Sequence, residues 1–171
     1  GGNGYGGSRI TISGGTVNAT GNEGGAGIGG GNEGCGDGIT ITDGTVIATG
    51  DAGGAGIGGG NESYYSSSVT ITGGTVKATG GAGNAAGIGA GKDNFEDSTV
   101  TINATTANLD VTATTQGTGE AISGHDGLTM ADLENVLSGI VRFFHGGDHY
   151  NTVHNGRYVG RDTNENLYKE T

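Results

Sequence analysis

Short alternations of apolar and polar residues run through the first two thirds of the chain, and they recur. Ile10-Thr11-Ile12 is followed by Thr16-Val17-Asn18-Ala19-Thr20 and then by Ala26-Gly27-Ile28-Gly29. The same phrases return as Ile39-Thr40-Ile41, Thr45-Val46-Ile47-Ala48-Thr49 and Ala55-Gly56-Ile57-Gly58, and again as Val69-Thr70-Ile71, Thr75-Val76-Lys77-Ala78-Thr79 and Ala86-Gly87-Ile88-Gly89. Alternate residues of a strand share a face, so Ile10, Ile12, Val17, Ala19 and Ile28 form one inward set. The next sets are Ile39, Ile41, Val46, Ala48, Ile57 and Val69, Ile71, Val76, Ala78, Ile88. Val100, Ile102, Val111, Ala113 and Ile122 repeat the order once more, with about four extra residues around Thr105 to Leu109.

Self-similarity at a period near thirty residues is the mark of a solenoid, propeller or array. Three short strands per period are too few for a propeller blade of four antiparallel strands. The pattern predicts an all-β fold, a single-stranded right-handed parallel β-helix of about four three-strand coils near 10–38, 39–68, 69–99 and 100–124. The hand follows from the strong preference of parallel crossovers. With strands ~4.8 Å apart, four coils make a tube only ~19 Å long. These coils form a β-helix domain over 1–127.

Beyond Gly127 the period lengthens. Leu133, Val136, Leu137, Ile140, Val141 and Phe144 fall on one helical stripe, with Thr129 placed to cap its start and Gly146-Gly147 to end it. A helix over 129–144 is expected to close the last coil, so that 128–171 comprises a capping helix and a tail. In that tail a hairpin is expected, Asn151 to Val153 against Arg157 to Val159. Gly1 to Gly7 reads as the end of an earlier Ala-Gly-Ile-Gly coil, so more repeat coils are expected upstream in the parent protein.

Composition changes this picture at one point. The chain has 42 glycines and no proline; without a period such a sequence is disordered, and here the period argues for order. In Ser13-Gly14-Gly15, Asp43-Gly44 and Gly73-Gly74 glycine supplies the positive φ of a sharp corner. Gly27, Gly29, Gly56, Gly58, Gly87 and Gly89 flank inward isoleucines and are expected to face outward, leaving bare backbone open to close approach. A threonine at Gly58 would then be tolerated if its φ were negative. Thr40, Thr42, Thr70 and Thr72 complete the candidate contact surface, since threonine combines strand preference with a hydroxyl for cross-strand bonding.

The formal charge of −11 repels phosphate backbones and anionic lipid, so no nucleic acid partner is expected. No apolar run approaches the ~18 residues of a membrane span, and no membrane insertion is expected. Candidate chemistry is sparse. Glu33, Glu62 and Asp93 recur about every thirty residues, not at the nine-residue spacing of calcium-binding repeats, and read as a solvated loop column. His145, Asp148, His149 and His154 crowd together without the i, i+4 or Cys-x-x-Cys spacing of zinc sites. Cys35 has no cysteine to pair with and no histidine near it. Glycosidic hydrolysis needs two carboxylates at a set separation, and the strand faces carry threonine, asparagine and glycine, with Asp43 at a corner and Asp110 alone. No catalytic residue, metal ligand or cofactor site is named, and the chain is expected not to be an enzyme.

The phrases at 39–50 and 54–61 resemble glycine-rich repeats of secreted or wall-attached bacterial surface proteins, some of them carbohydrate-binding-domain proteins with a pectin-lyase-like β-helix. The resemblance covers about residues 1–124 and implies an extracellular or cell-surface location. It implies an adhesin- or stalk-like role, with glycan or a host or bacterial surface protein as partner. The reading adopted is a non-catalytic binding or structural module. The alternatives are a polysaccharide lyase or hydrolase, by fold analogy, and an ice-binding solenoid, from the Thr-x-Thr rows.

Overall fold

The structure, a computed structural model, describes residues 4–94, 98–102, 108–117 and 120–122, together with the backbone of four strands between 140 and 169. It is an all-β parallel solenoid. The first turn carries β1 (Gly7–Ser8), β2 (Thr11–Thr20) and β3 (Ile28–Gly29); the second carries β4 (Gly36–Asp37), β5 (Ile39–Thr49) and β6 (Ile57–Gly58). The third carries β7 (Ser68–Ile71), β8 (Thr75–Thr79) and β9 (Ile88–Gly89). Then come β10 (Thr99–Ile102) and β11 (Asp110–Thr115), which continue the ladders beyond the third turn.

Stacking follows the repeated phrases. Ile12 lies on Ile41, Val17 on Val46 and Ala19 on Ala48; Ile41 lies on Ile71, Val46 on Val76 and Ala48 on Ala78. On the third face Ile28, Ile57 and Ile88 stack in turn, and a single bridge joins Ile88 to Ile122. These columns are the core. Ile41, Val46, Ala48, Ile57, Ile71, Ala78, Ile88, Val111 and Ala113 have no exposed surface at all, as expected where every inward side chain has a like neighbour above and below.

The extra residues of the last period are taken up where the spacing places them. Ile102 pairs with Ile71, an offset of 31, and Val111 pairs with Val76, an offset of 35, so four residues are inserted between β10 and β11. β2 and β5 run unbroken around the first corner and so join two faces into one sheet. The corner shows as register shifts at Ser13 and as positive φ at Gly14, Gly15, Gly44 and Gly74.

The helix expected over 129–144 is corrected in its last residues. Residues 123–139 lie outside the described residues, but Ile140–His145 is a strand, β12, not the end of a helix. It pairs in parallel with β11, Asp110 opposite Ile140 through Thr115 opposite His145. Ile140, Val141, Phe143 and Phe144 are β-branched or aromatic, and β11 presents an open edge that a strand satisfies with backbone bonds a helix cannot offer. β13 (Asp148–His154), β14 (Arg157–Arg161) and β15 (Leu167–Lys169) then run antiparallel from β12. The expected hairpin is present between β13 and β14, with His154 opposite Arg157.

Candidate functional site

The first face carries one column of threonines in register. Thr11 pairs with Thr40, Thr40 with Thr70, and Thr70 with Thr101. All four alternate with inward isoleucine or valine and so stand on the outer surface, Thr11 and Thr101 exposed, Thr40 and Thr70 half-buried. The neighbouring column is less regular. Ser13 pairs with Asp43 and not with Thr42, and Thr72 lies just past the end of β7. The Thr42 hydroxyl donates to the Ile12 carbonyl at 3.5 Å, and the Thr72 amide donates to the Ile41 carbonyl at 2.9 Å. Thr42 and Thr72 are therefore tied to the corner and do not continue the lattice of the first column. A regular two-column Thr-x-Thr array is not formed on this face.

The glycine face differs most from expectation. Gly29, Gly56, Gly58, Gly87 and Gly89 are buried and Gly27 is half-buried. A Cβ on Gly56 would lie 2.6 Å from the Gly87 carbonyl oxygen and 2.6 Å from the Thr79 nitrogen. Gly27 and Gly87 meet the backbone of Thr49 and Thr114 in the same way, at 2.7 and 2.6 Å. Gly29, Gly58 and Gly89 have φ of 136°, 136° and 118°, a region L side chains rarely adopt. A side chain on Gly29 or Gly58 would collide with the carbonyl of the glycine stacked beneath it. These glycines let the third strand turn back onto the end of the second face, so backbone packs on backbone. They are internal packing positions and not an open surface, and the condition for threonine at Gly58 is not met.

The loop that follows holds a second ladder, in the repeated Gly-Gly-Asn-Glu. Asn61 Nδ2 donates to Asn32 Oδ1 at 3.1 Å, linking two coils. Asn32 and Asn61 also each donate to the carboxylate that follows, Glu33 or Glu62, at 3.3 Å. Glu33, Glu62 and Asp93 share left-handed φ values of 60°, 53° and 52°. The Glu33 and Glu62 amides donate to the Asn61 and Lys92 carbonyls of the next coil at 2.7 and 2.8 Å. The Asp93 carboxylate pairs with Lys92 and holds that ammonium above its usual range. Each acid of the column is thus engaged by its own loop, and among the described residues no three His, Cys, Asp or Glu side chains gather as a metal site. The side chains of His145, Asp148, His149 and His154 lie outside the described residues.

The remaining acids stand apart. Asp43 at the corner accepts from the Gly44 amide at 2.8 Å and from Asn108 Nδ2 at 3.4 Å. Asp110 is half-buried at the start of β11, opposite Thr75 and Ile140. Asp51 is held below the usual carboxylate value by backbone N–H groups of Ala52 and Gly24, the latter at 3.4 Å.

Residues 10–32, 39–61 and 69–92 each match the family model described as a beta helix repeat. The solenoid is a run of β-helix repeats. The matched segments begin at the inward Ile10, Ile39 and Val69 and end in the Asn-Glu or Lys-Asp loop, so one family repeat is one turn of the structure up to its αL residue. Comparison with curated proteins and with solved structures finds no match.

Two features of these β-helix repeats escaped the pattern of alternation. The asparagine ladder was present as the repeated Gly-Gly-Asn-Glu, but alternation says nothing of hydrogen bonds between loops. Tyr5, Tyr64 and Tyr65 are 76%, 53% and 69% exposed, on the loops that lead from the third face back to the first. Their signal was an aromatic residue in a stretch of glycine and serine.

Proposed function

We propose that this β-helix is a non-catalytic binding or structural module, and that its contact surface is the threonine column of the first face. The observation that carries the reading is the register Thr11, Thr40, Thr70, Thr101, an evenly spaced row of hydroxyls on a sheet whose inner face is solid aliphatic core. A row of donor-acceptor groups at the strand spacing suits a polymer with repeated hydroxyls, or the edge of a protein loop, better than a single small ligand. The acidic charge of −11 favours neutral or basic partners. An extracellular or cell-surface place, an adhesin- or stalk-like role and a right-handed coil belong to the same proposal. The location and role are supported by the likeness of its repeats to glycine-rich bacterial surface proteins, and the hand by the preference of parallel crossovers.

The test is binding by the purified chain to an array of bacterial and host glycans, with a Thr40→Val, Thr70→Val double variant as comparison. Valine keeps the strand preference and removes only the hydroxyls. If each contributes a net hydrogen bond of ordinary strength, affinity falls by about tenfold or more, about 1.4 kcal/mol, with unchanged melting temperature. Binding untouched by the double variant removes the threonine column as the surface. Robust cleavage of an acidic polysaccharide removes the non-catalytic reading and favours the enzymatic alternative.

A further inference from the structure

Beside the threonine column of the first face run two further rows. The nearer is Ser8, Asp37, Ser68 and Thr99, in which Ser8 pairs with Asp37 and Ser68 with Thr99. Ser68 and Thr99 share the outer side of their strands with Thr70 and Thr101, because alternate strand residues face one way. The Ser68 hydroxyl donates to Asp37 Oδ1 at 2.9 Å and accepts from the Gly38 amide at 2.8 Å, so this row is fixed from coil to coil. The farther row is aromatic. Tyr5 stands in the loop ahead of β1 and Tyr64-Tyr65 in the loop ahead of β7, two coils on, and all three are exposed.

The loops that carry these tyrosines are stacked and held. The Gly31 amide donates to the Tyr5 carbonyl at 3.3 Å, and a Cβ on Gly34 would collide with that same oxygen. One coil on, the Gly36 amide donates to Ser67 Oγ at 2.9 Å. Ser63 has no exposed surface, and its hydroxyl donates to the Tyr65 carbonyl at 2.9 Å and accepts from the Tyr65 amide at 3.4 Å. A buried serine thus fixes the turn that presents the Tyr-Tyr pair to solvent. The loop between the two aromatic rungs is Gly34-Cys35-Gly36, which has no large side chain. The rungs therefore border a low floor and lie two strand spacings apart, about 9.6 Å.

We propose that Tyr5, Tyr64 and Tyr65 form the selecting subsite for a neutral polysaccharide chain laid along the solenoid axis. The inference rests on the binding reading above and deepens it, naming the ligand class and the residues that choose it. A pyranose ring has an apolar face of C–H groups and a rim of hydroxyls. Tyrosine covers the first, while Asp37, Ser68 and the threonine column meet the second. Two rungs are roughly the length of two linked pyranose rings, so one chain reaches both aromatic rungs without leaving the strip. Held loops and stiff tyrosine side chains keep the ordering cost of binding low. Charge decides the class of chain. Glu33 and Glu62 border the aromatic row and Asp37 lies inside the strip, with Arg9 the one cation on its segments, so an acidic polysaccharide is repelled. Each of these carboxylates already accepts a hydrogen bond from an asparagine or serine, with which a basic protein segment would have to compete.

The experiment measures binding of the full chain to immobilised neutral glucan, mannan and galactan, with polygalacturonate and polylysine as charged comparisons. Binding to a neutral polysaccharide is expected, and it weakens at least about tenfold in a Tyr64→Ala, Tyr65→Ala double variant and falls in Tyr5→Ala. Tyr64→Phe, Tyr65→Phe keeps the rings and stays within about threefold of the parent. Neutral binding that all the alanine variants retain overturns the subsite and leaves the threonine column standing. Capture by polygalacturonate or polylysine alone overturns the neutral-saccharide assignment, while the binding reading survives. A chain that binds none of these probes, and nothing on the glycan array, removes the binding reading and this inference with it. Should the double alanine variant lose its fold, tyrosine emission of the parent decides, since the chain has no tryptophan to mask it. Emission unchanged at saturation with a neutral polysaccharide that binds overturns the subsite.

Discussion

Three glycine-to-alanine substitutions separate backbone strain from packing, because the solenoid contains each cost alone and both together. Gly15 has φ of 79° with nothing within 4 Å of a built Cβ, so Gly15→Ala adds only the left-handed penalty, about 1–2 kcal/mol. Gly56 is not in the positive-φ region, but its Cβ would meet the Gly87 carbonyl oxygen and the Thr79 nitrogen, both at 2.6 Å. Those are backbone atoms of neighbouring strands and cannot swing aside, so Gly56→Ala incurs overpacking alone, about 1–3 kcal/mol. Gly58 combines φ of 136° with collision against the Gly89 carbonyl. Gly58→Ala is expected to lose about 2–5 kcal/mol, a large part of a total stability of about 5–15 kcal/mol. At roughly 2–4 °C per kcal/mol for a chain of this size, the mid-range loss lowers Tm by about 10 °C. Thermal and urea unfolding followed by circular dichroism measure it. A Gly58→Ala chain within about 2 °C of the parent, or no less stable than Gly15→Ala, refutes the reasoning that this face is packed and strained.

Ile57→Ala, in the centre of a column with no exposed surface, should cost about 3–4 kcal/mol by urea unfolding. Val17→Ala at the half-buried end should cost about 1 kcal/mol or less. Asn61→Asp removes the donor to Asn32 Oδ1 and sets a carboxylate against that oxygen; a loss of about 1–2 kcal/mol is expected, and equal stability at neutral pH would discount the ladder. The folded pKa of Asp51 lies below the usual 3.8 because the Ala52 and Gly24 N–H groups favour the carboxylate. Its contribution is full above the unfolded value and is lost as pH falls through the folded one. Asp51→Asn should therefore flatten the fall of Tm as the pH drops below the usual carboxylate range, and an unaltered acid limb would refute the link. A chelator is expected to leave Tm unchanged; a substantial fall would return attention to Glu33, Glu62 and Asp93, and then to the histidines of β12 and β13.

The core was legible in the sequence because it is written twice over. Alternation assigned Ile12, Val17 and Ile28 to one side, and repetition assigned Ile41, Val46 and Ile57 to the places directly beneath them. A solenoid needs little more, since each coil contacts only its neighbours and the stacking partner of a residue is its own repeat. Even the four-residue insertion before Leu109 could be located, because Ile102 and Val111 still keep the order of the columns.

What alternation could not settle was the role of residues whose type carries no preference for inside or outside. Glycine has no side chain to sort, so Gly27, Gly29 and their copies seemed outward merely because they flank inward isoleucines. Only the folded chain shows the third strand bent back onto Thr49, Thr79 and Thr114, with the glycines as the contact. The threonine columns look equal as Thr-x-Thr, yet the corner shift at Ser13 keeps one in register and disorganises the other. At Ile140 the apolar run fits a helical stripe and a strand equally well by spacing. The choice was made by the unpaired edge of β11, a feature that exists only once the coils have stacked.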